Sequence, residues 1–308
     1  MGAHEHAPAS VRIAAISLVV TACLLALKLV LGLISDSIAV LSDAVDSGTD
    51  LTAGTAALLA VRIAASPADE EHPYGHGKVE TLSAAVAAGI IGIGGAVVVF
   101  QAVRRLIVGV PDINVGVALV AMVTAALANV LLAYFMRREA ERSHSLALKA
   151  EATHLQTNVV QAGAIITGLL LVWLSGEDVF DPLVALGLAA YMGWTAVGLV
   201  RTTTSEMMDR ALPEEEISGI QEVLAAHPQV LGFHRLRSRR TGATRHVDMH
   251  VSVDPQLTIA EVHEISEALE REICGRLPGT EVMIHLEPHD GAAEDVEIIV
   301  REKGGPSS

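Results

Sequence analysis

The sequence predicts a chain in two parts, an α-helical membrane domain with six transmembrane helices followed by a small α+β domain of order α-β-β-α-β. Three observations carry this prediction. Six stretches, each near the ~20 mostly apolar residues that a spanning helix needs, all lie before residue 210. Charge is scarce at 19%, against ~25% in an ordinary soluble domain, and the mean hydropathy is +0.46. The charge is also unevenly placed, with 12 Lys/Arg and 18 Asp/Glu in residues 1–210 but 9 and 18 in residues 211–308. Half of the acid thus falls in under a third of the length, which excludes a single soluble enzyme domain.

The six stretches are residues 11–33, 38–62, 81–107, 115–135, 155–174 and 183–200. An even number of spans puts both termini on one side, together with the connections PADEEHPYGHGK and MRREAERSHSLALKAEA. That side carries Arg12, Arg62, Lys78, Arg137, Arg138, Arg142, Lys149, Arg201 and Arg210, while the opposite connections (ISDS, VGVPDIN, SGEDVFD) hold few bases. The positive-inside rule therefore places the termini in the cytoplasm of a multi-pass protein of the inner membrane, although Arg104 and Arg105 run against the trend.

From Pro213 the pattern changes. PEEEISGIQEVLAAHP reads as a helix with acid in its first turn, which suits the helix dipole. VLGFHRLRSRRTG and TRHVDMHVSVD read as a hairpin whose second strand alternates Val247, Met249, Val251 and Val253 with His246, Asp248, His250 and Ser252. A helix over 258–276 and a strand over 280–286 follow, and the charged tail is expected to fray. The predicted parts are a tail over 1–10, the six-helix domain over 11–208, the α+β domain over 209–290 and a flexible tail over 291–308.

A net charge of −15 and a pI near 5.2 argue against a nucleic-acid partner, which needs a clustered basic surface. The 13 histidines with abundant acid suit cations instead. Cys23 and Cys274 have neither disulfide-framework nor CxxC spacing and read as packing residues. The first ten residues lack the basic region and cleavage site of a secretory signal, and His6 stands where a myristoylation motif needs Ser or Thr. There is no HExxH, GxSxG or GxxxxGK[ST], so a zinc protease, serine hydrolase or ATP-driven pump has no support. The chain is read as not an enzyme, with no catalytic cofactor.

Within the second apolar stretch, LSDAVDSGTDL places Asp43, Asp46 and Asp50. An ionisable residue at membrane depth costs at least about 2.5–3.5 kcal/mol, so three call for a function; a wet crevice lined without binding is the competing reading. Asp46 and Asp50 stand four apart on one helix face, and His154 and Asn158 repeat that spacing in the fifth stretch. If the two helices face each other, two carboxylates, an imidazole and an amide oxygen form a sulfur-free ligand set for Zn²⁺, Fe²⁺, Co²⁺, Ni²⁺ or Mn²⁺ rather than Cu⁺. In the connection, Asp69, His72 and His76 fall within eight residues around a Pro-Gly turn, either as ligands or as a solvated loop. In the α+β domain, His234, His246, His250, His263 and His285 cluster, with Glu287 on the face of His285 and His289 beyond. Surface histidines on an edge strand are the alternative there. His4, His6, His144 and His227 read as solvated.

VDSGTDL, PADEEHPYGHGK, HLQTN and a histidine-bearing α-β-β-α-β domain together resemble the cation diffusion facilitator (CDF) family, most closely its bacterial zinc and ferrous-iron efflux branch, over residues 10–290. The resemblance implies a metallochaperone-like cytoplasmic domain and a homodimeric metal/proton antiporter. It implies a transport site of Asp46, Asp50, His154 and Asn158, the last replacing the branch's usual Asp and so removing a carboxylate. It implies a loop site of Asp69, His72 and His76, and inter-subunit sites of His234, His250, His263, His285 and Glu287, with Glu replacing a common Asp. It also implies a charge pair between Lys78 and Asp209 that joins protomers. The expected partners are metal ions, protons, the lipid bilayer and a second copy. Zn²⁺ leads, with Ni²⁺, Co²⁺, Fe²⁺, Cd²⁺ and Mn²⁺ as competitors, acting as substrate and as regulator. The rival expectation is a membrane-anchored metal sensor or scaffold without transport, and a metal-dependent intramembrane hydrolase is weakened by the missing HExxH.

Overall fold

The structure is a computed structural model that describes residues 3–34, 38–108, 115–177, 179–289 and 298–299. It divides into two compact units near residue 204. The first holds six long helices, α1 (Ala3–Ile34), α2 (Ile38–Ala64), α3 (Lys78–Val108), α4 (Val115–Ser143), α5 (Leu146–Ser175) and α6 (Phe180–Met207). At about 1.5 Å per residue, helices of 27 to 32 residues exceed the hydrocarbon thickness of a bilayer. Among the described residues, Ala9–Val30, Lys78–Ile107, Leu146–Ser175 and Phe180–Met207 are long and apolar enough to cross a membrane by length and composition. The other two predicted spans fall in α2, with its three aspartates, and α4, whose end is charged. The helices are apolar on their outer faces: Val19, Ile93, Phe100, Trp173 and Trp194 are all exposed, as lipid-facing side chains are.

Small residues bring the helices together. Ala14 of α1, Ala60 and Val61 of α2, Ala133 and Met136 of α4, and Leu148 and Leu155 of α5 form one buried cluster. A second joins Ala84, Ala88 and Ile91 of α3 to Leu188, Met192 and Ala196 of α6. Gly94 and Gly95 make that second approach possible, because a Cβ on either would meet Met192 at 3.1 or 3.2 Å.

The connection expected between the fourth and fifth spans is almost entirely helical. α4 runs on to Ser143 and α5 starts at Leu146. His144 turns the chain with a left-handed φ of 55°, and the Ser145 side chain caps α5 by accepting from the Leu148 amide. The charges that suggest a loop instead decorate helix ends; Arg137 pairs with Glu141 one turn on.

The second unit contains α7 (Glu214–Ala226), β1 (Gly232–Thr241), β2 (Thr244–Val253), α8 (Ile259–Arg276), β3 (Thr280–Pro288) and β4 (Ile298–Ile299). The sheet order is β3-β2-β1-β4. β1 and β2 form the predicted hairpin, turned at Gly242 with φ 60°, and β2 and β3 run parallel, joined through α8. A capping box between Thr258 and Glu261 starts α8. Val247, Met249, Val251 and Val253 are buried with Ile220 and Leu224 of α7 and Ile265, Leu269 and Ile273 of α8. The helices therefore cover one sheet face, and the polar residues of β2 belong to the other.

Two further expectations change. The tail read as frayed supplies β4, which pairs antiparallel with Gly232 and Phe233, because β1 would otherwise leave an open edge. Cys23 is exposed on α1 instead of packed, while Cys274 donates from Sγ to the Thr280 carbonyl at 3.2 Å.

Candidate metal sites

The alternating small and polar residues of α2 and α5 allow close approach at membrane depth. There His154 Nε2 lies 2.9 Å from Asp50 Oδ1, with the imidazole 6% and the carboxylate 20% exposed. Asn158, one turn beyond His154, lines the same cavity of about 410 Å³. Asp43 and Asp46 belong to α2, but their side chains lie outside the described residues. Three of the four expected transport ligands thus share one cavity wall: a hard carboxylate, a borderline imidazole and an amide.

The cavity extends mainly to one side of this pair, with Thr52 of α2 reaching just past Asp50. Along α5 it touches His154, Asn158, Gln161 and Ile165; along α3 it runs from Ile90 to Gln101. No α5 residue before His154 lines it. On the other side Leu148 and Ala152 are buried, and Ser10 Oγ donates to Glu139 Oε1 at 3.1 Å, tying α1 to α4.

The connection before α3 forms a second group. Gly75, with φ 76°, and the bond from the Gly75 amide to the His72 carbonyl fold the segment back on itself. Asp69 Oδ1 lies 3.3 Å from His72 Nδ1, Asp69 Oδ2 lies 3.3 Å from His76 Nε2, and the two rings are 4.6 Å apart. One ligand atom from each residue falls within 4.8 Å of the others. The His72 backbone amide donates to Asp69 Oδ1 at 2.6 Å and, with the nearby imidazoles, holds this carboxyl below its ordinary range despite the opposing effect of desolvation.

The third group is a row across the sheet. His234 of β1 pairs in register with His250 of β2, which pairs with His285 of β3. Glu287, two residues on, returns over the row: its Oε1 is 3.4 Å from His234 Nε2 and its Oε2 is 3.3 Å from His250 Nδ1. One ligand atom from each of His234, His250 and Glu287 likewise lies within 4.8 Å of the others. His285 stacks near His250 at 4.6 Å but is exposed, and His263 sits apart on α8, paired with Glu267. His246 pairs with Glu281 at 3.2 Å; burial lowers its imidazole pKa against the pull of that carboxylate. Asp209, with φ 55°, lies 3.6 Å from Arg239, and Lys78 opens α3.

Sequence reasoning passed over four buried charges of the helical unit, Lys28, Glu80, Glu139 and Glu151, of which Lys28 and Glu151 meet α2. Lys28 of α1 donates to Ser47 at 2.8 Å, and Glu151 of α5, 2% exposed, stands one turn before His154 against Gly54 of α2. Both are single charges in small-residue or apolar surroundings, a signal present in the sequence but weaker than a spaced pair.

Residues 14–208 match the cation efflux transmembrane domain, and residues 212–289 match the cytoplasmic domain of cation efflux proteins. The chain is 34% identical over 286 residues to the cation-efflux pump FieF of Cronobacter sakazakii, covering 92% of this chain and 95% of that one. It is likewise 34% identical over 266 residues to FieF of Escherichia coli O127:H6, covering 86% and 88%. With both domains matched and relatives covered nearly end to end, the chain belongs to the cation diffusion facilitator family of cation-efflux transporters.

Proposed function

We propose that the chain exports a divalent transition-metal ion from the cytoplasm in exchange for protons, with Zn²⁺ as the leading substrate. The observation that carries this reading is the Asp50–His154 pair, 2.9 Å apart at the inner end of a cavity between membrane helices. A carboxylate and an imidazole bind a divalent ion in their deprotonated forms and release it on protonation, which is the exchange an antiporter performs. Asp46 completes the ligand set with Asn158, whose amide oxygen contributes no charge and takes up no proton.

Cargo metal enters from the cytoplasm with the site facing inward, and protons entering from the opposite side displace it. The cavity on the C-terminal side of His154, together with the packed Leu148 and Ala152 and the Ser10–Glu139 bond, supports reading this structure as the release-facing arrangement. Access alternates by rocking of one helix group against another. The driving force is the proton gradient and membrane potential, worth about 2.3 kcal/mol per charge per 100 mV.

The loop group and the His234–His250–Glu287 group load metal on the cytoplasmic side. The polar sheet face carrying the latter docks against its copy in a homodimer, with His263 and His285 as further ligands and Lys78 and Asp209 pairing between protomers. Filling these sites stabilises the docked form by mass action and so regulates transport. The protein resides in the inner membrane with both termini cytoplasmic.

The test is metal flux into sealed liposomes. Zn²⁺ entry with counter-moving protons, lost in Asp50→Ala, supports export. Tight metal binding without flux would instead establish the sensor.

A further inference from the structure

α1 is an apolar spanning helix, yet it carries Lys28 near the end of its span. A lysine so placed ordinarily extends its ammonium to the membrane surface. Lys28 does not: it is 8% exposed, and Nζ donates at 2.8 Å to Ser47, which is itself 3% exposed. Ser47 sits on α2 between Asp46 and Asp50. Lys28, Ser47, Asp50, His154 and Asn158 all line the same cavity. Among the described residues lining it, Lys28 and Asp50 carry the formal charges, and these are opposite.

Offsetting aspartates for the sake of helix insertion explains a buried lysine, but it does not explain a place on the cavity wall. Ile91, Val97 and Ile165 give the wall an apolar part, and neutral polar side chains such as Gln101, Asn129 and Gln161 line much of the rest. A fixed charge acts there over a longer range than in water. A divalent ion at Asp50 therefore meets a positive charge in the space it must cross to leave.

We propose that Lys28 sets affinity and release at the intramembrane site: its ammonium, anchored on Ser47, keeps divalent-cation binding weak enough for the ion to depart into the cavity. This rests on the reading that Asp50 and His154 hold the transported ion. Lys28 does not bind the metal; it is a positioning charge. With Asn158 contributing no charge, Lys28 offsets one of the two aspartate charges, Asp46 and Asp50.

The experiment compares full-length wild type, Lys28→Met, Lys28→Arg and Asp50→Ala by Zn²⁺ competition with a chelating indicator and by Zn²⁺ uptake into liposomes. The intramembrane site is the binding lost in Asp50→Ala. Lys28→Met, similar in length and uncharged, is expected to bind Zn²⁺ there about tenfold tighter and to turn over about tenfold more slowly at saturating metal. Lys28→Arg is expected to stay within about threefold of wild type on both counts. Wild-type affinity and turnover in Lys28→Met would overturn the proposal, as would weaker binding with lower flux. Should Lys28→Met fail to elute as folded protein, Lys28→Gln carries the same expectation and the same refutation. Unchanged binding and flux in Asp50→Ala would overturn the underlying site assignment instead.

Discussion

Arg105 Nη1 lies 2.6 Å from Asp181 Oδ2, joining the last turn of α3 to the first turn of α6. The pair explains why a basic residue stands at the end of the helices where the positive-inside rule expects few: its charge is neutralised within the protein. Asp181 is the more buried partner at 12% exposure, against 31% for Arg105. Removing Arg105 leaves a buried carboxylate without its cation, whereas removing the carboxylate lets the longer Arg105 turn toward water. Arg105→Gln is thus expected to lower the thermal midpoint of detergent-solubilised protein more than Asp181→Asn. The double variant should fall short of the sum of the two, as a double-mutant cycle will show.

Glu216 of α7 accepts from Arg240 Nη2 at 2.8 and 3.0 Å and from Arg245 Nε at 2.7 Å. Partial burial pushes its carboxyl up, but Arg245 and Arg240 together hold it below the ordinary range. A carboxyl lowered on folding contributes its full stability above its unfolded pKa of about 4.3, and that contribution disappears as pH falls through the lower folded value. Hydrogen exchange on the full chain should therefore show α7 losing protection on acidification below that range. Glu216→Gln should show lower protection at neutral pH and a flatter acid dependence.

Glu287 touches both His234 and His250, while His285 only flanks them. Calorimetric titration of the full chain should show Glu287→Ala weakening Zn²⁺ binding to the cytoplasmic domain by at least about tenfold, and His285→Ala by less. Removing His234 and His285 together should raise the metal concentration for half-maximal transport; an unchanged dependence would discard a sensing role for this domain.

Asn158 lines the cavity with Asp50 and His154. Asn158→Asp adds a group that must lose its proton to bind metal, so the protons exchanged per Zn²⁺ should rise by up to about one. The ratio of Zn²⁺ to Ni²⁺ and Co²⁺ flux should change with it. Paired metal and pH indicators in liposomes measure both quantities.

Much of this architecture was legible in the sequence because it rests on period and spacing. The apolar stretches gave the helices, the valines of β2 gave its buried face, and the four-residue spacing of His154 and Asn158 anticipated that both line one cavity with Asp50. HPYGHGK gave its turn through Pro73 and Gly75. What escaped depends on partners distant in sequence. Ser10 and Glu139 stand 129 residues apart, Lys28 is intelligible only beside Ser47, and Ile298 and Ile299 become a strand only because β1 offers an edge. The α4–α5 turn was misread because charges at helix ends resemble a loop until the Ser145 cap is seen. His263 shows the opposite case: it is grouped with the sheet histidines by sequence, yet α8 holds it beside Glu267.

Asp50 and His154 are proposed to exchange a metal ion for protons across the membrane. The most direct test of this exchange uses full-length protein in sealed liposomes carrying a metal indicator and a pH dye, with Zn²⁺, Ni²⁺, Co²⁺ and Mn²⁺ offered in turn. Zn²⁺ movement with opposing proton movement is expected in the wild type, and loss of both in Asp50→Ala and in His154→Ala. Metal flux that persists at the wild-type rate in Asp50→Ala, or Zn²⁺ flux with no proton movement, would contradict the exchange.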